Sequence, residues 1–234
     1  MPKGGDAVAL SADTHLPAKQ QHLERRPERD LCPSSLMEEL ESGAQSCEAC
    51  VLSQSRNQVV WGSGPIDAKV LFVGEAPGRK EDLGGEPFIG AAGKVLDTFL
   101  QAAELARSEI YIANVVKCRP PENRDPKPEE IAACEKYLQG QIRLLNPAVI
   151  VSLGKFSTQT LLQSKVGIAE LQGHPQELKL KGGEEAQEGI RTLLPLYHPA
   201  ASIYDPKKRE PFLAAATTLK SLLAHASLED RVEG

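Results

Sequence analysis

Val70-Leu71-Phe72-Val73-Gly74-Glu75-Ala76-Pro77-Gly78 is a β-branched and aromatic run that breaks into a turn carrying one carboxylate. An apolar run this short, bounded by glycine and proline, reads as a central strand of a parallel sheet, whose two faces must both be covered. Open parallel sheets bind ligands beyond the carboxyl ends of their strands, so the same stretch delivers Glu75 to a ligand site.

Three further runs fit the same sheet. Ile110–Ala113 ends at Asn114, Ala148–Leu153 ends at Gly154, and Arg191–Leu196 leads to Tyr197-His198-Pro199. Pro195 argues that the last of these is an edge or carries a bulge, since proline cannot donate to a ladder. Helical patterns lie between the strands. One begins near Gly90 and carries Val95, Leu96, Phe99 and Leu100 on one face; another opens at Pro128-Glu129-Glu130 and carries Ile131, Cys134, Leu138, Ile142 and Leu145; the last starts near Pro206. Residues 79 to 89 read as a long loop, and Val166 to Gly189 as a small β excursion with a turn at Gly182-Gly183. With right-handed connections, Gly74-Glu75, Asn114, Gly154 and His198 converge on one edge of the sheet and form a polar pocket.

The whole chain sets the frame for this core. At 234 residues, 41% hydrophobic and 25% charged, it is large enough for one α/β domain with its own core. Residues 1 to 35 are polar and without period and read as a disordered tail; the domain is expected over 36 to 225, with a short tail from 226 to 234. Neither a signal peptide nor a membrane span is indicated, so a cytoplasmic monomer is the expectation. In such a setting five cysteines point to metal or cluster ligation rather than disulfides. A net charge of -5 gives no global nucleic-acid signature, so positive charge would have to act locally. Lys117, Arg119, Arg124 and Lys127, and separately Lys207-Lys208-Arg209, are ordinarily solvated charges, and both groups border the pocket as natural phosphate contacts.

Each candidate residue has a bland reading beside the functional one. Cys47 and Cys50 form a CxxC pair, with Cys118 and Cys134 far along the chain. Four thiolates suit a tetrahedral zinc or an iron–sulfur cluster, and a third cysteine set between Lys117 and Arg119 is a poor core position. Cys32, in the tail, is left out of the set. Glu75 is a general base, a water-positioning group or a loop cap. Asn114 either satisfies backbone groups or presents a donor and an acceptor to a planar ligand. Phe88 is a core or a stacking residue, and His198 a capping or a catalytic one. Nucleotide-binding motifs fail: Gly90-Ala91-Ala92-Gly93-Lys94 lacks the earlier glycine and the following Ser or Thr of a P-loop.

Taken together, Gly74 to Asp82, Glu86 to Gly90, Asn114 to Pro121 and His198-Pro199-Ala200 closely resemble the family 4 uracil-DNA glycosylases, over roughly residues 36 to 223. The resemblance implies a three-layer α/β/α sandwich around a four-stranded parallel sheet, and hydrolysis of the N-glycosidic bond of deoxyuridine in DNA to leave an abasic site. It implies a 4Fe–4S cluster on Cys47, Cys50, Cys118 and Cys134. Gly74, Glu75 and Ala76 would line the uracil pocket, Phe88 would stack on the base, Asn114 would read its polar edge and His198 would contact its O2. Better-known glycosylase families place an aspartate where this chain has Ala76, which makes Glu75 the water-activating candidate, with Asn123 placed to hold it. The loop after His198 also departs, reading Ala201-Ser202-Ile203-Tyr204 where bulky residues and an arginine are common. The partner implied is uracil-containing DNA, single- or double-stranded, with any replication or repair partner left open. Two other classes stay open: a binder that captures uracil-DNA without turnover, although the basic insertion of covalent binders is missing between Cys118 and Pro128, and a zinc-stabilised structural adaptor.

Overall fold

A computed structural model describes residues 32–180 and 189–232. It begins with helix α1 (Pro33–Gln45), so Pro33 to Ser35, expected in the tail, already belong to a helix, and residues 1–31 lie outside the described part. The run at Val70–Gly74 is strand β1, buried at every position. Complete burial explains why its sequence shows no alternation: Leu71 and Val73 face one apolar core, Val70 and Phe72 the other.

From β1 the chain makes helix α2 (Arg79–Gly84), then α3 (Ala91–Ala102) and strand β2 (Tyr111–Asn114). Helix α4 (Pro128–Leu145) leads to β3 (Val149–Leu153) and α5 (Lys155–Leu162). A short helix α6 (Ile168–Leu171) precedes β4 (Gln176–Lys179) and β5 (Ile190–Leu196), and α7 (Pro199–Tyr204) and α8 (Pro206–Val232) close the fold. Helix α8 runs through the boundary expected at 225.

Among the described residues the sheet has five strands in the order β2-β1-β3-β5-β4, against the four expected. The four expected strands are the parallel ones, and β4 adds an antiparallel edge along the first half of β5. Pairing with β4 ends at Leu193, so Pro195 sits where no neighbour on that side needs its missing N–H. Gly182-Gly183, read as the turn of this excursion, lies outside the described residues. Helices cover both faces: α1 and α4 supply Met37, Cys134, Tyr137, Leu138, Ile142 and Leu145 to one core, while α3 and α8 supply Leu96, Phe99, Leu100, Phe212 and Leu219 to the other. The result is a three-layer sandwich with the carboxyl ends of β1, β2, β3 and β5 on one edge.

Three short helices, α2, α6 and α7, were not foreseen. Helix α2 occupies part of the supposed loop, with Glu81 and Asp82 in its first turn and Gly85 ending it at φ 77°. Its acids are buried for a reason. Glu81 Oε1 accepts from Gly90 N–H at 2.8 Å, capping the start of α3, and Asp82 Oδ1 accepts from Asn57 N–H at 2.9 Å, tying down the chain before β1.

Candidate active site

Beyond the strand ends lies a cleft of about 340 Å³, lined by Glu75, Ala76, Glu81, Phe88, Asn114, Asn123, Arg124 and His198 among others. Each strand end contributes by its own local chemistry. Gly74 is required by crowding, because a Cβ there would stand 2.7 Å from the Phe88 ring and closer still to Asn114 Oδ1. Glu75 and Ala76 follow it, both partly exposed to the cleft. Burial pushes the Glu75 carboxyl up to about 7, and the charge of Asp125 adds to the rise.

Asn114 is 2% exposed, and among the described residues its Oδ1 finds no hydrogen-bond partner. A buried acceptor left unpaired costs about 1–3 kcal/mol, so this atom marks where a ligand's donor would be gained. The strand end around it is held firmly: Val115 N–H donates to the Gly74 carbonyl at 3.0 Å and Val116 N–H to the Glu75 carbonyl at 3.1 Å.

His198 caps helix α7. Its Nδ1 accepts from Ala200 N–H at 3.2 Å, so the proton of the neutral ring sits on Nε2. Burial pulls its pKa down to about 4 against the attraction of Glu81, which makes the neutral ring the working form at physiological pH. The ring centroid stands 5.8 Å from that of Phe88, at 33° between planes.

Phe88 is buried with φ at 56°, a left-handed conformation that a bulky residue adopts only when its surroundings enforce it. Arg107 enforces it, with Nη2 donating to the Phe88 carbonyl at 2.8 Å, and Gly93 leaves room where any Cβ would strike that carbonyl. Neither Glu81 nor Arg107 was singled out from sequence. Their partners are 9 and 19 positions away, and no local motif signals such contacts.

Asn123 is brought to the cleft but not to the role expected of it. Its Oδ1 accepts from Arg119 Nε at 2.8 Å, and no hydrogen bond joins it to Glu75 among the described residues. The basic residues nearby also divide. Arg124 makes a two-pronged bond to the buried Glu130, at 2.9 and 2.6 Å, which fixes its guanidinium at the cleft wall and holds the Glu130 carboxyl below its usual range. Lys117, expected to be solvated and free for phosphate, is 1% exposed. Its neighbours on both sides pack into the core, and the side chain turns inward with them.

Cys47, Cys50, Cys118 and Cys134 line one small cavity of about 20 Å³ together with Arg56, Lys117 and Tyr137. Arg56 Nη1 donates to Cys118 Sγ at 3.5 Å and to the Cys47 carbonyl at 2.8 Å, while Lys117 N–H donates to Cys134 Sγ at 3.3 Å. Burial pushes the Cys118 thiol up to about 11 and also raises Cys134. Among the described residues no three of His, Cys, Asp and Glu are close enough to grip one metal ion. The four cysteines thus share one cavity. Cys32 stands apart and exposed, bonded to Ser34 and Ser35.

Comparison with known proteins places this geometry. Residues 61–220 match the family model of the uracil DNA glycosylase superfamily. The type-4 uracil-DNA glycosylase of Archaeoglobus fulgidus is 43% identical over 171 residues, 71% of this chain and 83% of that protein. Those of Sulfurisphaera tokodaii and Thermotoga maritima are each 42% identical, covering 74% and 70% of this chain and 79% and 82% of theirs. The matched span holds β1 to β5 and all of the cleft, and the chain belongs to the uracil DNA glycosylase superfamily, alongside its type-4 members.

Proposed function

We propose that the chain is a DNA repair hydrolase that cleaves the N-glycosidic bond of deoxyuridine in DNA, releasing uracil and leaving an abasic site. One observation carries the reading: a single cleft gathers a buried, unpaired amide oxygen, a neutral imidazole with its proton on Nε2 and an aromatic face. A base inside a duplex cannot reach such a site, so it must be flipped out at a cost of a few kcal/mol, and Phe88 restores a π-face to it. Asn114 Oδ1 accepts from uracil N3–H, and its NH₂ donates to O4.

As the bond from C1′ breaks, its electrons pass to the uracil ring and charge collects on O2. His198 Nε2–H donates there, and needs no extra proton to do so. Water adds to C1′ and gives its proton to Glu75, whose carboxyl titrates near working pH and so can accept it. Lys117, being buried, leaves the set of phosphate contacts, and Arg119, Arg124, Lys127, Lys207, Lys208 and Arg209 stay in it.

The cysteine cavity fits a 4Fe–4S cluster by the chemistry of its donors: four thiols in apolar surroundings, with N–H groups of Arg56 and Lys117 aimed at sulfur. Bound there, a cluster would cross-link the segments that carry Cys47 and Cys50, Cys118 and Cys134. The test is a glycosylase assay on uracil-containing oligonucleotides in excess, with iron and zinc measured in the same preparation. Release of free uracil over many turnovers is expected; binding without release, or release stopping at one equivalent, would reduce the protein to a uracil-DNA binder.

A further inference from the structure

Lys117 reaches both the base-reading strand end and the cysteine cavity. Its Nζ donates to the Asn114 carbonyl at 2.9 Å and to Gln141 Oε1 at 2.5 Å, and stands 5.4 Å over the Trp61 ring. Its own N–H donates to Cys134 Sγ, and its carbonyl accepts from Val60 N–H at 2.8 Å. Gln141 is fully buried on α4, two turns beyond Cys134, and its Nε2 donates to the Trp61 carbonyl at 3.1 Å. The loop from Asn114 to Cys134 is thus stapled twice at one residue, by a main-chain bond to sulfur and a side-chain bond to the base-reading residue.

What surrounds the ammonium is unusual. Among the described residues no carboxylate pairs with it; its acceptors are a carbonyl and an amide, beside an aromatic face. A buried cation is strongly disfavoured without an anion nearby. Four cysteine thiolates carry negative charge whatever metal they hold, and Lys117 lines their cavity.

We propose that Lys117 is a positioning residue that couples the cysteine site to uracil recognition, holding the Asn114 main chain in the register at which its amide faces the base only while the thiolates hold their metal. The inference rests on the glycosylase reading above. The Asn114 amide discriminates uracil from cytosine only if its donor and acceptor are kept from exchanging places, so a strand end that shifts blurs the choice before it abolishes binding. Loss of the metal frees the Cys134 sulfur to move, and the main-chain bond it accepts from Lys117 passes that movement through one residue to the bond on Asn114.

The experiment compares cluster-loaded wild type with Lys117→Met, which keeps the stem's volume and removes the ammonium. Single-turnover excision is measured on matched uracil- and cytosine-containing oligonucleotides, with iron content and the cluster's reduction potential read on the same samples. Expected are wild-type iron, KM for DNA within about twofold, a uracil rate down about 10- to 100-fold, a narrower preference for uracil and a more negative potential, since a nearby cation favours the reduced cluster. Wild-type rate and preference in an iron-replete variant would overturn the coupling. Should Lys117→Met lose iron, Gln141→Leu decides, because it removes the other acceptor of Nζ without touching a cysteine neighbour. Reduced preference there supports the proposal and wild-type preference overturns it. Failure of wild type itself to release uracil would instead sink the glycosylase reading.

Discussion

The cleft and the cysteine cavity, which Lys117 lines while bonding Asn114, are built on opposite plans. The cleft is lined from the ends of strands whose registers are set by the sheet, and each key residue is fixed by bonds inside its own neighbourhood: Asn114 by the ladder to β1, His198 by its cap on α7, Phe88 by Arg107. The cavity is lined by Cys47 and Cys50 from a stretch between α1 and β1, Cys118 from a loop and Cys134 from a helix. A site made of secondary structure stands ready before its ligand arrives. A site made of loops depends on its occupant to stand at all, and breaking each in turn separates the two plans.

The largest effect should come from the cavity. Cys134→Ser is expected to lose the brown colour and iron of an anaerobic preparation and to lower the melting temperature sharply, because metal binding and folding are one free energy in such sites. Iron measured per chain and thermal unfolding check it. A variant lacking iron yet melting with wild type would place this cavity on the same preformed plan as the cleft.

Removing the cleft's donor should do the reverse, sparing the fold and hitting the rate. His198→Ala is expected to lower single-turnover excision by ~10²–10³ while leaving affinity for uracil-containing DNA nearly intact, since the donor matters most as charge develops on O2. Binding by anisotropy and cleavage by gel, taken together, test it; an equal loss in both would make His198 a ground-state contact.

The two plans also differ in how much of them a reader of the sequence can see. Strand ends announce themselves: Glu75, Asn114 and His198 each follow an apolar run, and parallel topology does the rest. The cysteine set was legible as one metal or cluster site, but the choice of an iron–sulfur cluster over zinc came from family resemblance and not from spacing. What stayed hidden were the supports. Glu81, Arg107 and Gln141 act through single long-range bonds that leave no periodic trace, and helix α2 is shorter than the window over which periodicity can speak. Lys117 was misread because a lysine's charge argues for solvent, whereas four buried neighbours, Val115, Val116, Cys118 and Pro120, argue otherwise. Asn123 lines the cleft but bonds Arg119, since proximity along a loop says nothing of which way an amide turns.

Glu75→Gln sharpens the comparison through pH. With the carboxyl near 7 and His198 near 4, kcat/KM should rise about tenfold per pH unit up to about 7 and then level, with no limb from the histidine. The variant should lose about 10²-fold on the plateau and lose the limb as well. Stability moves the other way. A carboxyl whose folded pKa is raised favours the fold below its ordinary value of 4.5 and loses that contribution as pH rises through about 7. Glu75→Gln should therefore be the more stable protein above pH 7. A limb at pH 7 persisting in the variant would move the base elsewhere.

The smallest effect expected is the most specific test of a preformed cleft. Phe88 keeps a left-handed backbone that costs on the order of 1–3 kcal/mol, and Arg107 is what holds it, through one bond to the Phe88 carbonyl. The same guanidinium also pairs with Asp97 at 2.6 Å, but both side chains are substantially exposed, and such pairs contribute about 0–1 kcal/mol. Two variants tell these roles apart. Asp97→Asn removes the surface pair alone and should leave excision unchanged. Arg107→Ala frees the Phe88 carbonyl, lets the kink relax toward ordinary backbone and should lower the uracil rate about three- to tenfold, the equivalent of roughly 1 kcal/mol in stacking geometry. With Phe88 in its proposed role of replacing the stacking that the flipped base has lost, the deficit should shrink on a substrate whose uracil was never stacked, such as a single strand or a mismatch. Equal losses on every substrate would mean that Arg107 supports the fold in general and that the strain at Phe88 has no bearing on the base.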